Sequence, residues 1–132
     1  MLIRKVFQNL IYMKRLTAKE EQVMRIFWDR GPMFVRDLLE YYEEPKPHYN
    51  TVSTLVRGLE EKGMIGYKAY GNTYQYYALV LEKDYKSSAI KDAVSHYYNN
   101  SYASVVSSFI EEEEISIEEL KAIIESIEKN RK

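Results

Sequence analysis

Asn50, Thr54 and Arg57 recur at intervals of four and three residues, a spacing that brings them to one side of an α-helix. Thr51 and Ser53 flank the same stretch. These are short or flexible hydrogen-bonding side chains, and each has a counterpart on the edge of a base pair. An arginine can donate two parallel bonds to guanine and an asparagine can pair with adenine, while a threonine can meet a thymine methyl or a phosphate. A second group, Lys68, Tyr70 and Asn72, falls at the tip of a hairpin-like stretch. Lys68 is its natural phosphate ligand. Polar side chains of this kind line any solvated helix, so their meaning depends on the elements that hold them.

No catalytic chemistry assembles around them. The chain has no cysteine, which excludes disulfides, thiolate metal sites and cysteine nucleophiles. His48 and His96 are isolated and have no metal-ligand spacing; they read as a turn residue and as a helix-surface or interface residue. The run Glu111 to Glu114 lacks the Asx and Gly pattern of a calcium loop and reads as a solvated helix end. With no acid, base and nucleophile to combine, the chain is not expected to be an enzyme, nor to need a metal or cofactor. The series Tyr67, Tyr70, Tyr74, Tyr76 and Tyr77 is read as core and cross-strand packing rather than as a stacking surface for single strands.

The elements follow from punctuation and periodicity. Thr17 with Glu20 forms a capping box, so a helix is predicted from Ala18, with Val23, Met24, Ile26, Phe27 and Trp28 as its apolar face and Gly31-Pro32 as its stop. Met33 and Phe34 are extended, and a second helix is expected over 35–42. Pro45 and Pro47 forbid helix across the next turn. A third helix is predicted over 49–62, with Gly63 as left-handed cap. Its Val52, Leu55, Val56 and Leu59 face the core, opposite the polar group. Strands over 64–69 and 73–79 flank a turn at Tyr70, Gly71 and Asn72. Helix, helix, turn, helix and hairpin in this order describe a winged helix, whose third helix enters the major groove.

Beyond Leu81 the pattern is helical again, over 83–98, 102–111 and 117–130, with Ser116 and Glu119 as a further capping box. Ile117, Leu120, Ile124 and Ile127 form a seam, which Val105, Val106 and Phe109 extend. This is more apolar surface than three short helices can hide, so a second copy of the chain is expected to cover it.

At 132 residues, 45% hydrophobic and 30% charged, the chain accommodates one small domain with an oligomerisation segment. The net charge of −1 conceals an asymmetry: residues 1–80 carry 12 basic against 9 acidic side chains, and residues 81–132 carry 7 against 11. A polyanion-binding front joined to a non-binding back has this form. The first residues lack the cleavage signature of a signal peptide. The expected organisation is mainly α with a small β-hairpin: a flexible extension over 1–15, a winged helix over 16–80 and a helical dimerisation segment over 81–132, in a cytoplasmic protein with no membrane insertion. The alternative is a winged helix that docks proteins through the same helix or wing. Salt separates the two, because phosphate-driven binding weakens as salt rises.

The string Leu16-Thr17-Ala18-Lys19-Glu20-Glu21-Gln22-Val23-Met24 with Trp28, then Thr51-Val52 to Leu59, Glu60-Glu61-Lys62-Gly63-Met64-Ile65 and Tyr74-Gln75-Tyr76-Tyr77, closely resembles the penicillinase and methicillin-resistance repressor family. The resemblance extends over roughly residues 14–130. It implies a homodimeric winged-helix repressor that binds palindromic operators in double-stranded DNA of β-lactamase or related genes. It also implies a membrane sensor with a metallopeptidase domain, whose activation leads to repressor cleavage. The family's cleaved Asn-Phe pair is matched here by Ser108-Phe109, and its frequent arginine before the leucine closing the recognition motif is matched by Gly58. The copper-responsive branch carries a C-terminal cysteine motif that has no counterpart in this chain.

Overall fold

The computed structural model describes residues 16–131; the expected extension over 1–15 lies outside the described residues. Helix α1 (Ala18–Arg30) starts at Thr17, whose hydroxyl accepts from the Glu20 amide at 3.2 Å while the Thr17 amide donates to Glu20 Oε1 at 2.9 Å. Both halves of the capping box are therefore present, and two orphan amides are satisfied. Gly31, at φ 86°, ends the helix by donating to the Phe27 carbonyl. Strand β1 (Met33–Phe34) leads into α2 (Val35–Leu38) and a 3₁₀ turn (Leu39–Tyr41). The single helix expected over 35–42 is thus one α turn that tightens. Val35 and Leu38 already reach the core from that turn, and Tyr42 is extended ahead of the proline segment.

Helix α3 (Tyr49–Glu61) buries Val52, Val56 and Leu59 completely, and Gly63 follows it at φ 77°. Strands β2 (Ile65–Tyr70) and β3 (Thr73–Ala78) form the hairpin. Tyr70 belongs to the strand and pairs with Thr73, which leaves a two-residue Gly71-Asn72 turn with positive φ at Gly71 alone. That is the φ pattern of a type II′ turn, whose twist suits a hairpin. The sheet order is β1-β3-β2, all antiparallel, with Met33 opposite Tyr76 and Tyr67 also opposite Tyr76.

The chain divides into two compact units, through Ala89 and from Ile90, within α4 (Glu82–Tyr98) rather than ahead of it. The reason is Tyr85. Its side chain is buried in the same core as Val23, Phe27, Leu38 and Val56, its hydroxyl donates to Glu21 Oε1 at 2.8 Å, and its ring lies 5.7 Å from that of Trp28. The Trp28 indole in turn donates to the Val80 carbonyl at 2.8 Å. The second unit continues through α5 (Tyr102–Glu111) and α6 (Ile117–Asn130). Asn99 and Asn100 adopt left-handed φ between α4 and α5, a region asparagine tolerates well. Ser101 and Ser116 cap the two helices by accepting from the amides of Ser104 and Glu119.

Among the described residues one charged side chain is buried with the apolar core. Glu20, 6% exposed, receives the Lys62 ammonium at 2.7 and 2.9 Å, tying α1 to the end of α3. Burial pushes its carboxyl up, but the bonds from Lys62 and from Thr17 outweigh it and hold the pKa below the ordinary 4.5. A carboxyl depressed on folding stabilises the fold above its unfolded pKa, and this contribution is lost as pH falls through the folded value. Glu20→Gln is therefore expected to cost about 2–4 kcal/mol near neutrality, chiefly by leaving Lys62 without its partner. The difference from the parent should shrink as pH drops below 4.5. Urea denaturation across that range checks it; a constant difference would remove the ion pair from the account.

Gly58 lies on α3 above Glu20. A Cβ built there meets Glu20 Oε2 at 3.6 Å, an ordinary contact. The glycine therefore does not serve close approach of the two helices, and Gly58→Ala should stabilise the fold by about 0.5–1 kcal/mol through lower unfolded-chain entropy and better helix propensity. Thermal unfolding reads this directly, and a lower melting temperature would contradict it.

Candidate nucleic-acid interface

Helix α3 is held by an apolar back and leaves a polar front. Asn50, Thr51, Thr54 and Arg57 are exposed and Ser53 is half-buried, while Val52, Val56 and Leu59 on the other side are sealed. Firm anchorage suits a reading helix, because ordering its backbone costs nothing further when a groove closes around it. The Thr54 hydroxyl donates to the Asn50 carbonyl at 2.9 Å. With its proton committed there, Thr54 can offer a base edge or phosphate only lone pairs and a methyl group, which suits an exocyclic amine or a thymine methyl rather than a phosphate.

The hairpin has two distinct faces. Alternation and register place Met33, Ile65, Tyr67, Tyr74 and Tyr76 on one face, and Phe34, Lys68, Tyr70, Gln75 and Tyr77 on the other. The first face packs its inner end into the core: Met33, Ile65 and Tyr76 are buried. The second face carries two of the expected contacts, Lys68 and Tyr70. The Lys68 ammonium lies 5.4 Å from the centre of the Tyr70 ring, and that ring meets Phe34 edge-on at 5.9 Å. Asn72 is exposed in the turn. The polar front of α3 and the Lys68 group are thus brought to the same domain, with Lys68 and Tyr70 on the hairpin face opposite Tyr67 and Tyr76.

Sequence reasoning passed over Tyr49, Tyr67 and Tyr74 as contact residues. Tyr76 is buried as packing requires, yet Tyr67 and Tyr74 are each 45% exposed and Tyr49, at the start of α3, is 51% exposed. Tyr67 and Tyr74 stack with ring centres 4.4 Å apart, and each lies 6.0–6.3 Å from Tyr76. Burial raises the Tyr76 phenol above its ordinary 10.0, with Glu60, Tyr74 and Tyr49 acting the same way and Arg57 against it. Tyr76 is thus within electrostatic reach of Tyr49, Arg57 and Glu60 of α3, against which β2 packs. The signal that could have found the tyrosine face is the two-residue turn, which fixes Tyr67 opposite Tyr76 and so carries the core face out along the hairpin.

In the second unit neither α5 nor α6 buries any residue. Val106, Phe109, Ile117, Ile124 and Ile127 are exposed, at 36–56%, while Val105 and Leu120 are half-buried. The Ser108-Phe109 bond lies inside α5. Among the described residues no helix is long and apolar enough to cross a membrane.

Known proteins resemble this chain along most of its length. It is 32% identical over 113 residues to the methicillin resistance regulatory protein MecI of Staphylococcus aureus, covering 83% of this chain and 92% of that protein. It is 23% identical over 121 residues to the penicillinase repressor of Bacillus licheniformis, covering 89% and 94%. Among solved structures, the solution structure of the DNA-binding domain of the repressor BlaI aligns at 21% identity with a TM-score of 0.47, over 55% of this chain and 94% of that one. These relatives are regulators, not enzymes. The sequence model of the penicillinase repressor family matches residues 16–129, and the chain belongs to that family.

Proposed function

We propose that the protein is a DNA-binding transcriptional repressor that acts as a homodimer on palindromic operators and is released through a membrane sensor with a metallopeptidase domain. The observation that carries the DNA reading is the two-sided character of α3: a completely buried apolar back beneath exposed Asn50, Thr51, Thr54 and Arg57. Such a helix is firmly anchored, and its front offers side chains of the kinds that read base edges in a major groove. The apolar exposure of α5 and α6 supports the homodimer, since a single soluble chain seldom leaves Phe109, Ile117, Ile124 and Ile127 together in water. Release is what the resemblance implies: a cut within α5, at Ser108-Phe109, where the family's cleaved pair is Asn-Phe, would divide this apolar surface and weaken dimer and operator together.

The test is protection of the DNA upstream of the protein's own gene and of neighbouring genes against nuclease, with excess non-specific duplex as competitor. A discrete protected segment with two related half-sites is expected. Absence of any sequence-dependent protection would favour the protein-docking alternative.

A further inference from the structure

The two elements that would face DNA carry little positive charge. Over 49–61, α3 has one cation, Arg57, against Glu60 and Glu61, and the hairpin over 65–78 has one, Lys68. Their net charge is zero. Lys68 lies on the hairpin face away from Tyr67 and Tyr74, over the Tyr70 ring. Lys62, at the end of α3, is engaged with Glu20. The hairpin face that bears Tyr67 and Tyr74 therefore carries no cation of its own. It carries tyrosine instead, and α3 with the hairpin holds Tyr49, Tyr67, Tyr70, Tyr74, Tyr76 and Tyr77 of the chain's 13.

We infer that the hydroxyls of Tyr49, Tyr67 and Tyr74 form an uncharged clamp for the phosphates of the DNA strand that passes between α3 and the hairpin, doing by hydrogen bonding what lysine and arginine do elsewhere. This inference rests on the DNA reading above. Three observations carry it. The three side chains are half exposed and, among the described residues, no intramolecular hydrogen bond occupies their hydroxyls. Two of the rings have partners within the hairpin: Tyr67 and Tyr74 stack at 4.4 Å and lean on buried Tyr76, which lowers the side-chain entropy to be lost on binding. Tyr49 is the first residue of α3, the helix whose exposed side carries Asn50, Thr54 and Arg57. A phosphate is acceptor-only, is present at every step of a duplex, and takes donors from tyrosine as it does from basic side chains.

The physical consequence is a separation of affinity from salt. A cation that neutralises a phosphate releases condensed counterions, and each such contact adds about 0.9 to the magnitude of the slope of log K against log salt. A neutral hydroxyl releases none. It strengthens binding equally at low and high salt.

The experiment uses full-length protein and two labelled duplexes of about one to three turns, one carrying the nuclease-protected upstream segment and one of mixed sequence. Binding is titrated by fluorescence anisotropy from about 50 to about 200 mM salt. Tyr67→Phe with Tyr74→Phe keeps both rings and their stacking, and removes only the hydroxyls; Tyr49→Phe is measured separately. The double variant is expected to bind both duplexes about tenfold or more weakly at every salt concentration, with the slope of the parent and an unchanged melting temperature. Parental affinity in the double variant overturns the clamp and assigns the rings to packing alone. A changed slope also overturns it, since the lost contacts would then have been coupled to charge. If the parent binds neither duplex, the DNA reading itself fails. That outcome is distinct from a parent that binds and variants that match it.

Discussion

A chain cut after Ala89 is expected to keep the fold of its first unit yet bind a two-half-site operator about 10²–10⁴-fold more weakly than the full-length protein. The cut site follows from packing. Cutting at Leu81, where the composition changes, would remove Tyr85, which is buried against the α1 helix and hydrogen-bonded to Glu21, and would damage the core being tested. Cutting after Ala89 leaves that contact in place and removes the rest of α4 with α5 and α6, neither of which fully buries any side chain within one chain. In the proposed dimer the second half-site would be engaged at a high effective concentration, and without the tether each half would bind alone. Sedimentation equilibrium of both forms, beside anisotropy titrations, checks the outcome. A monomeric full-length chain, or a truncated chain with full operator affinity, would remove the dimer from the account.

Arg57→Ala is the second large effect. Arg57 is exposed on the front of α3, in line with Asn50 and Thr54, and its removal should lower operator affinity while relaxing the preference at one base pair in each half-site. A bidentate guanine contact is worth about 1–3 kcal/mol of discrimination, and a symmetric dimer loses it twice. Lys68→Ala should lower affinity for all sequences alike, since a phosphate contact carries no base information. Competition with singly substituted operators separates the two. If Arg57→Ala loses affinity evenly at every position, Arg57 contacts the backbone only.

The elements were legible wherever a local signal and the tertiary demand agree. Thr17 and Glu20 announce the start of α1, and both halves of that box are present. Ser116 and Glu119 carry the same signal, and the serine does cap α6. Gly31, Gly63 and Gly71 mark three positions of positive φ that only the backbone requires. The short α2 was not legible, because Val35, Leu38, Leu39 and Tyr42 repeat at helical spacing whether the helix continues or tightens after one turn. What stopped it is the extended conformation at Tyr42 ahead of the prolines. The role of Tyr85 was also hidden: composition changes at residue 81, but burial of one tyrosine against α1 depends on tertiary contact and leaves no periodic trace.

For the interface, helical spacing alone grouped Asn50, Thr54 and Arg57, and burial of Val52, Val56 and Leu59 leaves that group on the surface. The hairpin was harder. A run rich in tyrosine has the same composition whether a ring is buried, as Tyr76 is, or half exposed, as Tyr67 and Tyr74 are. Strand register and the depth of the core decide between them, and neither is local.

The most direct test of the central claim is selection of bound duplexes from a random pool by the full-length protein, followed by sequencing. The account predicts an inverted repeat whose half-site centres lie one helical turn, about 34–36 Å, or a multiple of that apart, with Arg57→Ala losing the preference at one symmetric pair of positions. Recovery of no common sequence, or of a single unrepeated site, would contradict it.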